Sequence, residues 1–134
     1  MSVGLLPVED DHDTSGFFAA ARRGVLVLKF CVRCAQVLHL PRQACFACGS
    51  WESEWRAVEG RGTLYAWTVV KHQVHPAFPV PYTVVVVDVA GQPRGTRLTG
   101  RLPGEPELAA GQPMRIRFDR LPDGAVLPNW EPGE

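Results

Sequence analysis

The sequence predicts a mainly β protein with one short helix near its N-terminus. Twelve prolines and thirteen glycines among 134 residues favour turns over long helices. From residue 62 onward, apolar residues recur with a period of two, which is typical of half-buried strands. Before them lie all four cysteines, arranged as two Cys-x-x-Cys pairs separated by ten residues. These pairs predict a small metal-stabilised ribbon between the helix and a larger β domain.

The charge balance narrows the classes of function. Fourteen basic residues offset fourteen acidic ones, which argues against a general polyanion binder. No apolar run approaches the roughly 20 residues of a membrane span. The start MSVGLLPVEDDHD lacks the basic beginning and long apolar core of a secretory signal. We therefore expect a cytoplasmic protein, in which paired Cys-x-x-Cys motifs favour metal over disulfides.

The helix is expected within residues 1–24, which comprise an N-terminal arm and the segment TSGFFAAARRG. Asp13 or Thr14 can cap its start, because their side chains accept hydrogen bonds from free backbone amides. Arg22 suits the negative end of the helix dipole, and Gly24 suits the left-handed residue that often ends a helix. The next residues, VLVLKF, are expected as a strand that leads into the first cysteine.

Residues 25–55 are predicted to form a rubredoxin-like zinc ribbon. Zinc prefers four tetrahedral ligands, and each Cys-x-x-Cys turn can place two sulfurs on one ion. The alternatives are a redox dithiol, a disulfide pair or an unoccupied remnant, although a redox Cys-x-x-Cys normally occurs singly at a helix start. Four thiolates leave no open position for water, so the expected zinc is structural, one per chain. Its predicted ligands are Cys31, Cys34, Cys45 and Cys48.

Residues 56–134 are predicted to form a five-stranded OB-type barrel. The expected strands are 62–73, 82–90, 96–102, 113–119 and 125–130. The segment GEPELAAGQ can hold one helical turn after the third strand, as this architecture allows, and a small sandwich is the competing all-β fold. In the third strand, alternation directs Leu98, Gly100 and Leu102 inward and leaves the outward positions to Arg97, Thr99 and Arg101.

The ordered motifs resemble a known family. They are FFAAARRGVLVLKFCVRC, LPRQACFACGS, GRGTLYAWTVV, PYTVVVVDV, GTRLTGRL and GQPMRIRF. Together they resemble the zinc-ribbon plus OB-fold acyl-CoA-associated proteins, domain-of-unknown-function family thirty-five, from about Thr14 to Glu131. Two positions depart from the pattern. Ala35 replaces a usual glycine, whereas Gly49 keeps it, and Trp130 stands where an aromatic-then-proline signal is typical.

The resemblance implies an accessory role. Members of this family associate with thiolase-superfamily enzymes, which include acyl-CoA synthases and the retro-aldol lyases of steroid side-chain breakdown. The barrel is expected near the acyl-CoA channel of such a partner, with a coenzyme A thioester as the shared ligand. The resemblance thus implies a hetero-oligomer in which this chain stabilises the partner and shapes its acyl-CoA site.

The residues suited to that ligand lie on one loop and its neighbouring strands. The loop HPAFPVPY is either a stiff connector or a preordered apolar edge for a partner or a pantetheine arm. Arginines are abundant from residue 94 onward and form either a solvated face or a receptor for phosphates. The predicted ligand-binding residues are Trp67, His75, Phe78, Tyr82, Arg94, Arg97 and Arg101.

Three other functions compete with this accessory role. An independent hydrolase or lyase would need its own active site, but no G-x-S-x-G, H-E-x-x-H, P-loop or Rossmann fingerprint is present. We therefore predict no catalytic residue in the chain. A single-stranded nucleic-acid or tRNA-binding module would normally carry aromatic residues on its strand face. A scaffold that never touches coenzyme A is the third alternative.

Overall fold

The computed structural model describes residues 7–133 and confirms a mainly β protein with one short helix. The elements are α1 (Ser15–Arg22), β1 (Val27–Cys31), β2 (Ser53–Ala57), β3 (Arg61–Val70), β4 (Tyr82–Val89), β5 (Arg97–Pro103), β6 (Pro113–Arg120) and β7 (Val126–Pro132). Strands β1 and β2 form a two-stranded sheet, and the others form one five-stranded sheet in the order β5-β4-β3-β6-β7. No helix among residues 7–133 is long and apolar enough to cross a membrane.

Helix α1 begins at Ser15, as its apolar pattern predicts, but not through a side-chain cap. Thr14 is the residue before the helix, and its hydroxyl donates to the Val8 carbonyl at 3.1 Å. The Asp11 carbonyl instead accepts from the amides of Thr14 and Ser15, at 3.2 and 2.9 Å. The expected side-chain cap is therefore wrong, because a turn of the preceding arm occupies its place. Residues 1–6 of that arm lie outside the described residues.

The ribbon contains a strand that the sequence did not predict. All five residues of β1 are buried, and they pair antiparallel with β2, with Lys29 opposite Trp55. Strand β2 reads SEWRA and is half exposed, so its charged residues conceal the strand pattern. Gly16 at the start of α1 lies against the Trp55 indole, and a side chain there would overlap the ring. This contact packs the helix against the ribbon.

The five-stranded sheet surrounds the main core. The buried residues of this core are Leu26, Leu64, Val85, Val87, Val89, Leu98, Leu102, Met114 and Trp130. Strand β4 alternates strictly between half-buried and buried positions, as its run of valines predicts. Strand β3 pairs with β4 along most of its length, but with β6 only over Arg61–Thr63. Beyond Thr63, no strand among residues 7–133 pairs with that edge of β3.

Side chains close the gap between β5 and β7. The Trp130 indole donates to the Leu98 carbonyl at 3.1 Å, and the Asn129 side-chain oxygen accepts from the Arg101 amide at 2.8 Å. Gly100 permits this approach, because a Cβ there would lie 2.9 Å from Trp130 Cδ1. The sheet thus curls into a partly open barrel whose seam is held by side chains instead of a backbone ladder.

The helical turn expected in GEPELAAGQ does not form. The segment is irregular from Gly104 onward and makes a turn only at its end. Its last residues bond to β3 instead: the Gly111 amide donates to the Leu64 carbonyl at 2.8 Å, and the Leu64 amide donates to the Gln112 carbonyl at 2.9 Å. Leu108 packs against the core. These tertiary contacts outweigh a weak local helix preference.

Candidate metal centre and barrel face

Two similar turns bring the four cysteines together. In the first, the Ala35 amide donates to the Cys31 carbonyl at 2.9 Å, and in the second the Gly49 amide donates to the Cys45 carbonyl at 2.8 Å. Both residues that follow the pairs adopt a left-handed backbone, with φ of 63° at Ala35 and 79° at Gly49. Glycine at position 49 adopts this left-handed conformation without strain. Ala35 adopts the same conformation at a cost in free energy, because it has a Cβ atom.

The sulfur geometry fits one tetrahedral metal ion. The Sγ atoms of Cys31 and Cys48 lie 3.6 Å apart, as do those of Cys34 and Cys45. All four sulfurs lie within 4.8 Å of one another. A zinc ion with bonds of about 2.3 Å requires tetrahedral sulfur separations of about 3.8 Å. The four predicted residues are therefore positioned to bind a metal ion, as expected for structural zinc.

The crowded sulfurs have opposed acidities. Hydrogen bonding from the Cys34 backbone lowers the pKa of Cys31 to about 6. The Gln36 backbone also acts to lower the pKa of Cys34, but local desolvation of its sulfur and the neighbouring sulfurs outweigh it and raise that pKa to about 12. The Cys31 thiol therefore loses its proton readily, whereas the Cys34 thiol does not. A divalent cation removes this conflict, because it stabilises every thiolate at once.

The cysteine-containing end of the ribbon has little apolar material with which to fold, because Leu28, Phe30 and Val37 form a separate core. Its cysteine-containing core comprises Cys31, Leu38 and Cys45, all buried, while Cys34 and Cys48 are exposed. The Leu38 amide donates to the Lys29 carbonyl at 2.8 Å and joins this small core to β1. A metal ion held by four thiolates would stabilise the segment, and such a closed set leaves no position for substrate.

On the barrel, four of the predicted ligand-binding residues lie together. The His75 and Phe78 rings are 6.1 Å apart, and the Phe78 and Tyr82 rings are 6.3 Å apart. The Arg101 guanidinium lies over both of the latter rings, at 5.1 Å from Phe78 and 5.4 Å from Tyr82. We call His75, Phe78, Tyr82 and Arg101 the loop cluster. It joins the β3–β4 loop to the outer face of β4 and β5.

Arg97 belongs to a neighbouring group that includes a residue the sequence did not single out. Its guanidinium lies 3.6 Å from the centre of the Tyr65 ring, and its Nε donates to the Asp88 carboxylate at 2.9 Å. Strand β3 has an irregular register between Leu64 and Ala66, which leaves Tyr65 without a partner on β4. Such a bulge is not visible in the alternation of the sequence.

Trp67 and Arg94 lie outside both groups. Trp67 pairs with Val85, whose side chain is buried in the core, so the register places Trp67 on the opposite face of the sheet from Arg97 and Arg101. It is 39% exposed, because the neighbouring edge of β3 is open. Arg94 is exposed in the turn between β4 and β5. The structure therefore assembles part of the predicted ligand-binding set and separates the rest.

Comparison with known proteins supports an OB-fold protein. The family model of the ChsH2 C-terminal OB-fold domain matches residues 55–119. A chain in a solved structure described as an Ltp2-ChsH2(DUF35) aldolase is 30% identical, with a TM-score of 0.83. The alignment covers 94% of this chain and 98% of that one. This chain therefore belongs to the DUF35 family, and the sequence-based resemblance is confirmed.

Two further relatives define the limits of the comparison. A DUF35 protein of unknown function from Sulfolobus solfataricus is 12% identical, with a TM-score of 0.56 over 76% of this chain and 75% of that one, and it supports the fold alone. A probable enoyl-CoA hydratase alpha subunit from Thermomonospora curvata is 32% identical over 126 residues. The match covers 91% of this chain but 38% of that protein, so the chain spans well under half of that relative's length.

Proposed function

We propose that this chain is a noncatalytic subunit of an acyl-CoA carbon–carbon lyase or acyltransferase of the thiolase type. The observation that carries this proposal is the likeness over nearly the whole chain to the ChsH2 component of an Ltp2-ChsH2 aldolase. In this role the chain binds the catalytic subunit in the cytoplasm, stabilises it and shapes its acyl-CoA site. The reaction itself belongs to the partner.

The metal centre supports a structural contribution. The four thiolates of the ribbon would hold zinc, which supplies folding energy and no chemistry at a substrate. Zinc would fix the turns after Cys31 and Cys45 and thereby hold β1 against β2. We propose that the chain divides into an arm and helix at 1–24, a ribbon at 25–55 and a barrel at 56–134. Strand β2 of the ribbon extends two residues past this boundary, to Ala57.

The loop cluster is the best candidate for contact with the partner's substrate. Phe78 and Tyr82 offer an apolar wall suited to the pantetheine and acyl parts of a coenzyme A thioester, and Arg101 offers a cation for its phosphates. Arg97 is a weaker candidate, because Asp88 already neutralises it. Of the predicted ligand-binding arginines, we therefore favour Arg101.

The nucleic-acid alternative has one observation in its favour. The loop between the first and second barrel strands, β3 and β4, and the face of the second and third, β4 and β5, form a common ligand surface of OB folds. Aromatic residues occur there. However, guanidinium groups cover the Tyr65 ring and approach Phe78 and Tyr82, which leaves these faces poorly available for stacking bases. The net charge of zero also provides little attraction for a polyanion.

Reconstitution tests the proposed function. The purified chain and a separately purified Ltp2-type aldolase subunit are mixed and analysed by gel filtration and by single-turnover assay with an acyl-CoA substrate. We expect co-elution and turnover by the mixture, and no product from this chain alone. Product formation by the isolated chain, or a failure of the two proteins to associate, contradicts the proposal.

Binding of coenzyme A is tested separately within that complex. Arg101→Ala should raise the KM for acyl-CoA, and the effect should shrink as salt increases, because phosphate contacts are screened. Arg120→Ala is the matched control, since Arg120 is an exposed arginine at the end of β6. Equal KM values for the two variants contradict a phosphate contact at Arg101 while leaving the association result intact.

A further inference from the structure

A cavity lies beside the ribbon strands, outside the metal centre and the loop cluster. Its volume is about 410 Å³, within the range of roughly 300–1,000 Å³ typical of small-molecule sites. It is lined by Lys29 from β1, by Ser53 and Trp55 from β2, by Gln43, Trp51 and Glu52 from the segment before β2, and by His12 from the arm before the helix. We call it the Lys29 cavity.

The lysine in this cavity is buried and poorly paired. Its side chain is 6% exposed, and its ammonium lies 4.0 Å from Asp13 Oδ1, which is too far for a direct hydrogen bond. Asp13 Oδ1 is itself buried and has no hydrogen-bond partner among residues 7–133. An ammonium removed from water needs acceptors for its protons. The Lys29 cavity is therefore suited to a ligand that brings an acceptor to this group.

Two indoles provide the apolar surface of the cavity. Trp51 is 72% exposed, which is unusual for so large an apolar side chain. Trp55 is fixed from two sides, since Gly16 packs against its indole and the Lys29 ammonium lies 5.6 Å from the centre of its ring. Such rings favour the flat apolar face of a ligand ring.

The charges around the cavity select a neutral ligand. The lining holds one cation, Lys29, and one carboxylate, Glu52, together with the His12 imidazole, which can donate or accept a hydrogen bond. A carboxylate or phosphate ligand would meet Glu52, whereas an ammonium ligand would meet Lys29. A hydroxyl avoids both conflicts, because it accepts from Lys29 and donates to Glu52 or to the Gln43 side-chain oxygen.

We propose that the Lys29 cavity binds a neutral ring compound that carries several hydroxyl groups, such as a sugar or a cyclitol. One apolar face of the ring lies on the indole of Trp51, and one hydroxyl accepts a hydrogen bond from Lys29. Glu52 and Gln43 receive the remaining hydroxyl protons. This site is independent of the loop cluster and of the thioester ligand proposed for it.

The proposal is tested on the full-length, zinc-loaded chain by recording the tryptophan indole N–H signals in nuclear magnetic resonance spectra. Glucose and myo-inositol are the two neutral probes, and they distinguish a sugar from a cyclitol. We expect saturable shifts at Trp51 and Trp55 with at least one of them, while Trp67 and Trp130 serve as internal controls. Gluconate and glucosamine, which carry a charge, should bind at least about tenfold more weakly.

Variants assign the contacts. Trp51→Ala should weaken binding about tenfold without loss of zinc, because Trp51 is exposed and the stacking surface is removed. Lys29→Met should abolish binding, and if it fails to fold, the double variant Gln43→Ala with Glu52→Gln tests the hydroxyl contacts from exposed positions. The proposal is overturned if neither neutral probe gives saturable shifts, if gluconate binds as tightly, or if Trp51→Ala binds normally.

Discussion

Ala35 and Gly49 occupy equivalent positions after the two cysteine pairs, yet only one of them suits its backbone. Both have positive φ, and a Cβ in this region crowds the following carbonyl. The amide of each donates to the carbonyl of the first cysteine of its pair, so neither can easily adopt another conformation. The sequence predicts this difference correctly, because the requirement arises from the short, local Cys-x-x-Cys turn.

We therefore expect Ala35→Gly to stabilise the zinc-loaded protein by about 0.5–1 kcal/mol, the difference between relieved strain and the greater freedom of glycine in the unfolded chain. Thermal or denaturant unfolding measures the change. Ala47→Gly is the matched control. Ala47 is an exposed alanine between the two cysteines of the second pair, and it is not among the residues with positive φ. If Ala35→Gly and Ala47→Gly change the free energy of unfolding by the same amount, the strained backbone at Ala35 does not destabilise the protein.

Phe78 tests the loop cluster at the level of a single side chain. Phe78→Ala should weaken association with the thiolase-type partner, or raise the KM for acyl-CoA, by about tenfold, the size of a modest interface anchor. Zinc content should not change, and melting should fall only slightly, because Phe78 is half-buried and contacts mainly its own cluster. Val74→Ala is the control in the same loop, where Val74 is 74% exposed. Global unfolding by Phe78→Ala would instead place Phe78 in the core.

Among the elements, those with a strong local pattern are predictable and those that depend on partners are not. Strand β4 is a run of valines and is predicted within one residue, whereas β2 consists of five residues with alternating charges and forms because β1 pairs with it. The bulge in β3 likewise depends on pairing between strands and not on the local sequence pattern. It places Tyr65 under Arg97 and directs Trp67 to the opposite face, so alternation alone places Trp67 wrongly with respect to the arginines.

The ribbon should depend on its metal as a unit. We expect one zinc per chain, and Cys45→Ser should lose the metal and unfold the ribbon, because structural zinc contributes an apparent ~10–16 kcal/mol in small peptides. Elemental analysis and thermal melting measure both effects. Phe46→Ala is the matched control, since Phe46 lies between the second pair of cysteines and is 61% exposed. Native protein without zinc, or unchanged melting of Cys45→Ser, would rule out this role for the metal.

At the scale of the whole molecule, one polar network connects barrel closure to the loop cluster. Asp119 accepts two hydrogen bonds from Arg117, both at 2.8 Å, and a third of the same length from Asn129. Asn129 in turn accepts from the Arg101 amide, while the Arg101 side chain lies over Phe78 and Tyr82. Strands β5, β6 and β7 thus hold Arg101 in place. Sequence periodicity predicts which faces are polar, but it does not predict a network between distant strands.

This network should make the barrel sensitive to acid. Burial acts to raise the pKa of Asp119, but hydrogen bonds from Arg117 and Asn129 outweigh it, and the pKa lies below its usual value. A carboxyl whose pKa is lowered on folding stabilises the protein above its unfolded pKa of about 3.9, and this contribution disappears as the pH falls through the folded pKa. Asp119→Asn should therefore be less stable than the parent at pH 7, with a difference that shrinks below about pH 4.

Denaturant unfolding of both proteins from pH 7 to pH 3 measures this difference. Asp10→Asn is the control, because Asp10 is an exposed aspartate of the N-terminal arm, and it should follow the parent at every pH. The same series can be recorded for acyl-CoA turnover in the reconstituted complex, where displacement of Arg101 in Asp119→Asn should raise KM. A stability difference that stays constant down to pH 3 would show that the Asp119 carboxylate does not stabilise the closed barrel through its charge.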